Sequence, residues 1–147
     1  MIGTMKIKII FALTGLMFLI CGASGFAAET NSAATDLKDL VGRINTKLQA
    51  NQNTETALAS ELKEFDALLA KHKGEAADDL AQILSMKGGL YLQVLDQPEK
   101  AAETFKQLKH DFPETKAGQR TDEVLAMIAQ QVEVKKIQDT LDRKSVV

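Results

Sequence analysis

The sequence predicts an all-α domain of about five helices arranged in antiparallel helical hairpins. Three observations predict it. Two apolar stripes, Leu37-Val41-Ile44-Leu48 and Leu58-Leu62-Phe65-Leu69, share the same 4-3-4 spacing and are separated by a short polar segment. Helix-ending and helix-starting chemistry recurs at His72-Lys73-Gly74, Asp96-Gln97-Pro98-Glu99 and Phe112-Pro113. Beyond the first 27 residues, apolar and polar residues never alternate for long, so strands have no signal.

The N-terminus reads as an export signal over residues 1–27. Lys6 and Lys8 make a short positive region, with Met5 as a second possible start. An uncharged stretch of 14 residues follows, Ile9 to Gly22, short for a hydrocarbon core about 30 Å thick. Gly25 and Ala27 then stand at the -3 and -1 positions of a cleavage before Ala28. An uncleaved anchor is the alternative. Cys21, the single cysteine, follows Ile20 rather than the small residue that a lipoprotein signal requires. The expected location is extracytoplasmic, periplasmic or secreted, with no membrane association after cleavage.

Residues 28–34 are small and polar and are expected to form a flexible lead-in to a helical domain at 35–141. The first stripe places one helix over Leu37–Leu48. Asn51-Gln52-Asn53-Thr54 breaks it, and Asn53 or Thr54 can cap the next helix by accepting a free backbone N–H. The second stripe runs to His72-Lys73, whose positive side chains suit a helix C-terminus. Gly74 can take the left-handed position beyond. A third helix is expected from about Glu75 to Leu95, with Leu80, Ile83, Leu84, Tyr91, Leu92 and Leu95 as its apolar surface. Gly88-Gly89 in its middle costs roughly 1 kcal/mol per glycine relative to alanine. Such a pair suits a close helix–helix approach, with a kink as the alternative.

Asp96 is the expected N-cap of a fourth helix. Pro98 suits its first turn and Glu99 the capping-box position. Ala101, Ala102, Phe105 and Leu108 should face inward, and Phe112-Pro113 should end the helix, because the residue before proline avoids helical geometry. A fifth helix is expected from about Lys116 to Leu141, burying Val124, Leu125, Ile128, Val132 and Ile137. Residues 142–147 form a tail.

Chemistry is hard to find in this chain. Cleavage before Ala28 removes Cys21, and with it any disulfide, thiol nucleophile or thiolate metal site. His72 and His110 are the two histidines, 38 residues apart, and neither has a helix-spaced histidine partner. Both fall near helix C-termini, a structural position, and Asp111 adjoins His110 at a spacing where helical side chains diverge. The carboxylates Glu61 with Glu64, Glu75 with Asp78 and Asp79, and Asp139 with Asp142 read as solvated helix surface. Tyr91 reads as core packing beside Gly88 and Gly89. No catalytic, cofactor-binding or metal-ligating residue is predicted.

Charge narrows the partners. The net charge is -2, and removing Lys6 and Lys8 leaves sixteen basic against twenty acidic residues, about -4. That balance opposes nucleic-acid binding and a polybasic membrane surface. With six Phe, one Tyr and no Trp, stacking platforms are hard to build. A protein partner is the expectation.

The segment Ala81–Pro113 resembles a tetratricopeptide repeat, a helix-turn-helix of 34 residues. Gly89 matches the small residue of its first helix, Ala101 and Phe105 the alanine and aromatic of its second, and Pro113 the terminal proline. Gly88 stands where the family usually has leucine, and Leu92 and Leu108 where it prefers tyrosine and alanine. The resemblance covers one unit, about a quarter of the chain. It implies a structural motif of Gly88, Gly89, Tyr91, Ala101, Phe105 and Pro113, flanking helices that cap it, and a protein-interaction surface.

The stretches DLKDLVGRINTKLQ, ELKEFDALLAKHKGE, LYLQVLDQPEKAAETFKQLKHDFPETK and EVLAMIAQQVEVKKIQ resemble the helical region upstream of the thioredoxin-like domain in exported bacterial redoxins of the TlpA type. In that family the chain continues into a thioredoxin fold with a Trp-Cys-x-x-Cys site. This sequence has no tryptophan, so no catalytic residue carries over. The resemblance implies the front part of a truncated or frameshifted redoxin, without reductase activity and missing a C-terminal thioredoxin-like domain. The abrupt ending DRKSVV motivates that expectation. The other expectation is a free-standing, non-catalytic helical module.

Overall fold

The computed structural model describes residues 32–144. The expected signal at 1–27, residues 28–31 and the last three residues of the tail lie outside the described residues. Within them the chain is all helical: α1 (Ala33–Gln49), α2 (Ala59–Lys71), α3 (Ala77–Gln93), α4 (Pro98–Asp111), α5 (Lys116–Gln119) and α6 (Thr121–Lys144), with no strand among the described residues.

Local chemistry sets most helix ends. The side chain of Ser32 accepts from the Thr35 N–H at the start of α1, which takes in Ala33 and Ala34. Thr54 Oγ1 accepts from the Ala57 N–H at 3.2 Å in the turn before α2, but neither Asn53 nor Thr54 caps the helix: Leu58 occupies the N-cap position with no side-chain cap bond. Gly74 has φ +102°, the left-handed geometry expected after His72. Asp96 corrects an expectation. It is not the N-cap of α4 but takes φ +51°, a region aspartate tolerates better than most residues. Gln97 occupies the cap position without a side-chain cap bond, and Pro98 begins the helix. Phe112 leaves helical geometry before Pro113 at φ -134°, ψ 52°.

The expected fifth helix is two helices. The chain breaks at Arg120 between α5 and α6. Thr115 begins α5 by accepting from the Gly118 N–H at 3.0 Å, and its own hydroxyl donates to the Phe112 carbonyl at 2.8 Å. Thr121, fully buried, donates back to the Ala117 carbonyl at 3.1 Å, a pattern that bends helices.

α3 is the central helix, and its two faces belong to two clusters. One cluster joins Leu37, Leu40 and Ile44 of α1, Leu58, and Leu62, Phe65 and Leu68 of α2 to Leu80, Ile83 and Leu90 of α3. The other joins Ala81 and Leu84 of α3 to Ala101, Phe105 and Leu108 of α4 and Ile128 of α6. The antiparallel pairs α1–α2 and α3–α4 pack as neighbours, with α6 laid along α4. In both stripes the most buried residue shifts by one: Leu40 is fully buried where Val41 is half-buried, and Leu68 is deeper than Leu69.

The α3–α4 pair makes its closest approach at Gly88. A Cβ there would lie 2.8 Å from the Phe105 ring, whereas one on Gly89 would meet nothing within 4 Å. The close approach expected of the glycine pair therefore belongs to Gly88 alone. Tyr91 is half-buried between the two clusters, with the Lys100 ammonium 5.7 Å from its ring centroid. Ala101 and Phe105 are buried, and Pro113 is exposed.

Candidate functional site

The most concentrated polar chemistry is at one end of the α1–α2 pair. His72, the C-cap of α2, is 4% exposed. Its Nδ1 meets Glu75 Oε1 at 2.6 Å and its Nε2 meets Asp36 Oδ2 at 2.8 Å. Lys71 Nζ donates to the same Asp36 oxygen at 2.5 Å, and Glu75 Oε2 accepts the Ala33 backbone N–H at 3.0 Å. Glu75 thus satisfies one of the unpaired donors that open α1. The Glu75 and Asp36 carboxylates hold the His72 imidazole above its ordinary value against the opposing effect of burial. Asp36 is held below its usual range by Lys71 and then His72. Glu75 is held down by the Ala33 N–H and then His72.

This arrangement is a clasp. Both ring nitrogens are engaged, and a protonated ring donates to both carboxylates at once. The helix-end position of His72 follows from sequence. Its partner Asp36 lies 36 residues away, and Glu75 was expected as solvated surface. His110 is exposed in the last turn of α4 and its Nδ1 meets Asp111 Oδ1 at 2.7 Å. Neighbouring side chains do converge there, contrary to the expectation from regular helix geometry.

Glu61 was also expected at the surface and is instead buried. Its carboxylate accepts from Lys47 Nζ at 2.8 Å and from the Ser60 hydroxyl at 2.8 Å, while Lys47 also donates to the Ala57 carbonyl at 2.8 Å. Burial pushes the carboxyl up, but the hydrogen bonds from Lys47, Ser60 and its own backbone outweigh it and leave the value lowered. Glu64 pairs with Arg43. These are ties between α1 and α2 rather than a pair of carboxylates facing across a cleft.

Two open grooves lie nearby. One, of about 420 Å³, runs between α1 and α2 past Asp36, Arg43, Glu64 and Lys71, whose charges are already matched to one another. The other, of about 410 Å³, is lined by Leu69, Leu80, Leu84 and Phe112 with Lys73, Gln107 and Asp111 at its edge. Neither is lined by His72 or His110. Among the described residues no group of three His, Cys, Asp or Glu is placed to hold a metal ion, and no helix is long and apolar enough to cross a membrane.

Among the described residues, the large exposed apolar side chains all lie on α6: Met127, Val134, Ile137 and Leu141, each between 53% and 61% exposed. Ile137 corrects the expected buried stripe. Val124, Leu125, Ile128 and Val132 do pack toward α4, but Ile137 does not. Nine residues at about 100° each carry Ile137 to the side of the helix opposite Ile128. The spacing contained that signal. Lys135 holds the α3–α4 turn through Asp96 Oδ2 at 2.7 Å. Comparison with family models, with curated proteins and with solved structures finds no match to this chain.

Proposed function

We propose that this chain is a non-catalytic helical module that works outside the cytoplasm by contacting another protein. The apolar row of Met127, Val134, Ile137 and Leu141 on α6 carries this reading. Exposed apolar side chains gathered on one face of one helix are a common mark of an interaction surface. The α3–α4 pair packs closely at Gly88 and Phe105, and α6 carries the large exposed apolar side chains among the described residues. The tetratricopeptide-like reading of residues 81–113 is kept as part of the proposal, supported by the α3–α4 hairpin and by buried Ala101 and Phe105.

In-cell photocrosslinking from Gln138, beside the apolar row, tests the module. The expected adduct disappears when Val134→Glu and Ile137→Glu are introduced together. An adduct pattern indifferent to both changes removes α6 as the contact surface.

The second reading is the helical front of a thioredoxin-like redoxin, without reductase activity. The same observation favours it, because the exposed row lies on the last helix, where such a domain would follow and dock. Translating the source DNA beyond the Val147 codon in all three frames separates the two. A shifted frame encoding Trp-Cys-x-x-Cys supports the redoxin reading, and unrelated sequence after a clean stop supports the free-standing module.

A further inference from the structure

The exposed row on α6 has the spacing of a helix-pairing seam. Met127, Val134, Ile137 and Leu141 are separated by seven, three and four residues. That is the 3.5-residue repeat which a second helix fills with interdigitating side chains. The seam is separate from the face that packs on α4. Taking about 100° per residue, it lies nearly half a turn from Ile128 and Val132. Beyond Lys135, which reaches the α3–α4 turn at Asp96, α6 continues for nine residues past the start of α4, about 13 Å. Every one of Glu133 to Leu141 is exposed. A helical extension of this length has little stability alone in water, and packing along an apolar face is what ordinarily sustains one.

We propose that α6 pairs with α6 of a second copy of this chain, parallel and in register. The inference rests on the interaction reading above and names its partner. Three features of the seam fit its own copy. In register, Met127, Val134, Ile137 and Leu141 each meet their counterpart. The one polar seam position, Gln130, meets Gln130 of the second copy, and two amides can donate to and accept from each other. A polar residue at such a position specifies register. An antiparallel pairing sets Gln130 against Leu141 and leaves its amide without a partner, which is costly when desolvated. The flanks agree with the parallel choice. Glu133 makes no ion pair among the described residues, and in register it faces Gln138 of the second copy, whose amide can donate to it. Lys135 and Lys136 lie off the seam, and Lys144 takes the next seam register only at the last residue of α6.

The seam spans only about two heptads, so the pairing belongs with small, reversible interfaces. Sedimentation velocity on the full-length gene product, from about 1 to 300 µM, tests it. The weight-average mass is expected to rise from one chain toward two. Val134→Glu with Ile137→Glu should weaken association by about tenfold or more, with the denaturant midpoint of the single chain at low concentration unchanged because both sites are exposed. Mild oxidation of Val134→Cys should give a covalent dimer beyond that of the unsubstituted chain, which controls for Cys21. Mass that stays at one chain throughout, or a dimer unmoved by the paired glutamates, overturns self-pairing. If the chain stays single while the in-cell adduct still depends on Val134 and Ile137, the interaction reading stands without this partner. If that dependence is also absent, both fall.

Discussion

His72 Nε2 lies 2.8 Å from Asp36 Oδ2, joining the end of α2 to the first turn of α1 across 36 residues of sequence. The opposite ring nitrogen is held by Glu75, and Lys71 shares the Asp36 oxygen. Three ionisable groups, from α1, α2 and the turn before α3, therefore gather around one buried imidazole. The arrangement favours the charged ring.

This clasp makes stability depend on pH in a defined direction. The folded His72 value is raised above 6.5. Its contribution is fully present below 6.5 and is lost as pH rises through the folded value. Asp36 and Glu75 behave oppositely. Their folded values lie below 3.8 and 4.5, so their contributions are present above those values and fade as pH falls through the lowered ones. The clasp is strongest between about pH 4.5 and 6.5. Urea unfolding at steps from pH 5 to 9 should show wild type losing stability relative to His72→Gln as the ring deprotonates. Parallel profiles for the two proteins count against a titrating clasp.

How much of this could be read from sequence follows from how local each feature is. The stripes of α1 and α2 and the turn chemistry of Gly74 and Phe112-Pro113 depend on neighbours within one or two turns, and they appear where expected. The expected export signal lies outside the described residues. The break at Arg120 was hidden because residues 116–141 keep a helical pattern while Thr121 bonds back to Ala117. The His72 clasp was legible only as a helix end, because its partners arrive through the packing of α1 on α2. Asp96 takes φ +51° instead of the expected capping role, and its carboxylate meets Lys135, which arrives from α6 39 residues away. The outward face of α6 is itself written in the spacing, because nine residues place Ile137 opposite Ile128.

The two adjacent glycines of α3 should respond with opposite signs to the same substitution. Alanine is favoured over glycine inside a helix by about 1 kcal/mol. At Gly89 nothing lies within 4 Å of the added methyl, so Gly89→Ala should stabilise by up to about 1 kcal/mol. At Gly88 the methyl would stand 2.8 Å from the Phe105 ring. Overpacking there should outweigh the helix gain and destabilise by about 1–3 kcal/mol. Chemical denaturation of both variants checks the pair, and equal effects would disprove this placement of α4 against α3.

Phe105 is 7% exposed in the cluster that joins α3, α4 and α6. Phe105→Ala removes the ring that fills the space above Gly88 and should cost about 3–5 kcal/mol. A loss under about 1 kcal/mol in the same titration shows that the cluster can collapse around the missing ring, a much looser core than this packing implies.

The Lys47–Glu61 tie offers a test of burial rather than of charge alone. Lys47→Met keeps the aliphatic stem but removes the ammonium that also caps the Ala57 carbonyl. Glu61 is then left buried with only Ser60 and backbone donors. Its carboxyl should move upward because the Lys47 hydrogen bond no longer opposes burial, and stability near pH 7 should fall by about 1–3 kcal/mol. The further change Glu61→Gln, made on top of Lys47→Met, should recover part of that loss, because a neutral amide tolerates the site better than an unpaired charge. If the double variant is no more stable than Lys47→Met alone, the cost came from the lost Ala57 contact and not from the stranded carboxylate. A double-mutant cycle at pH 7 separates the two contributions.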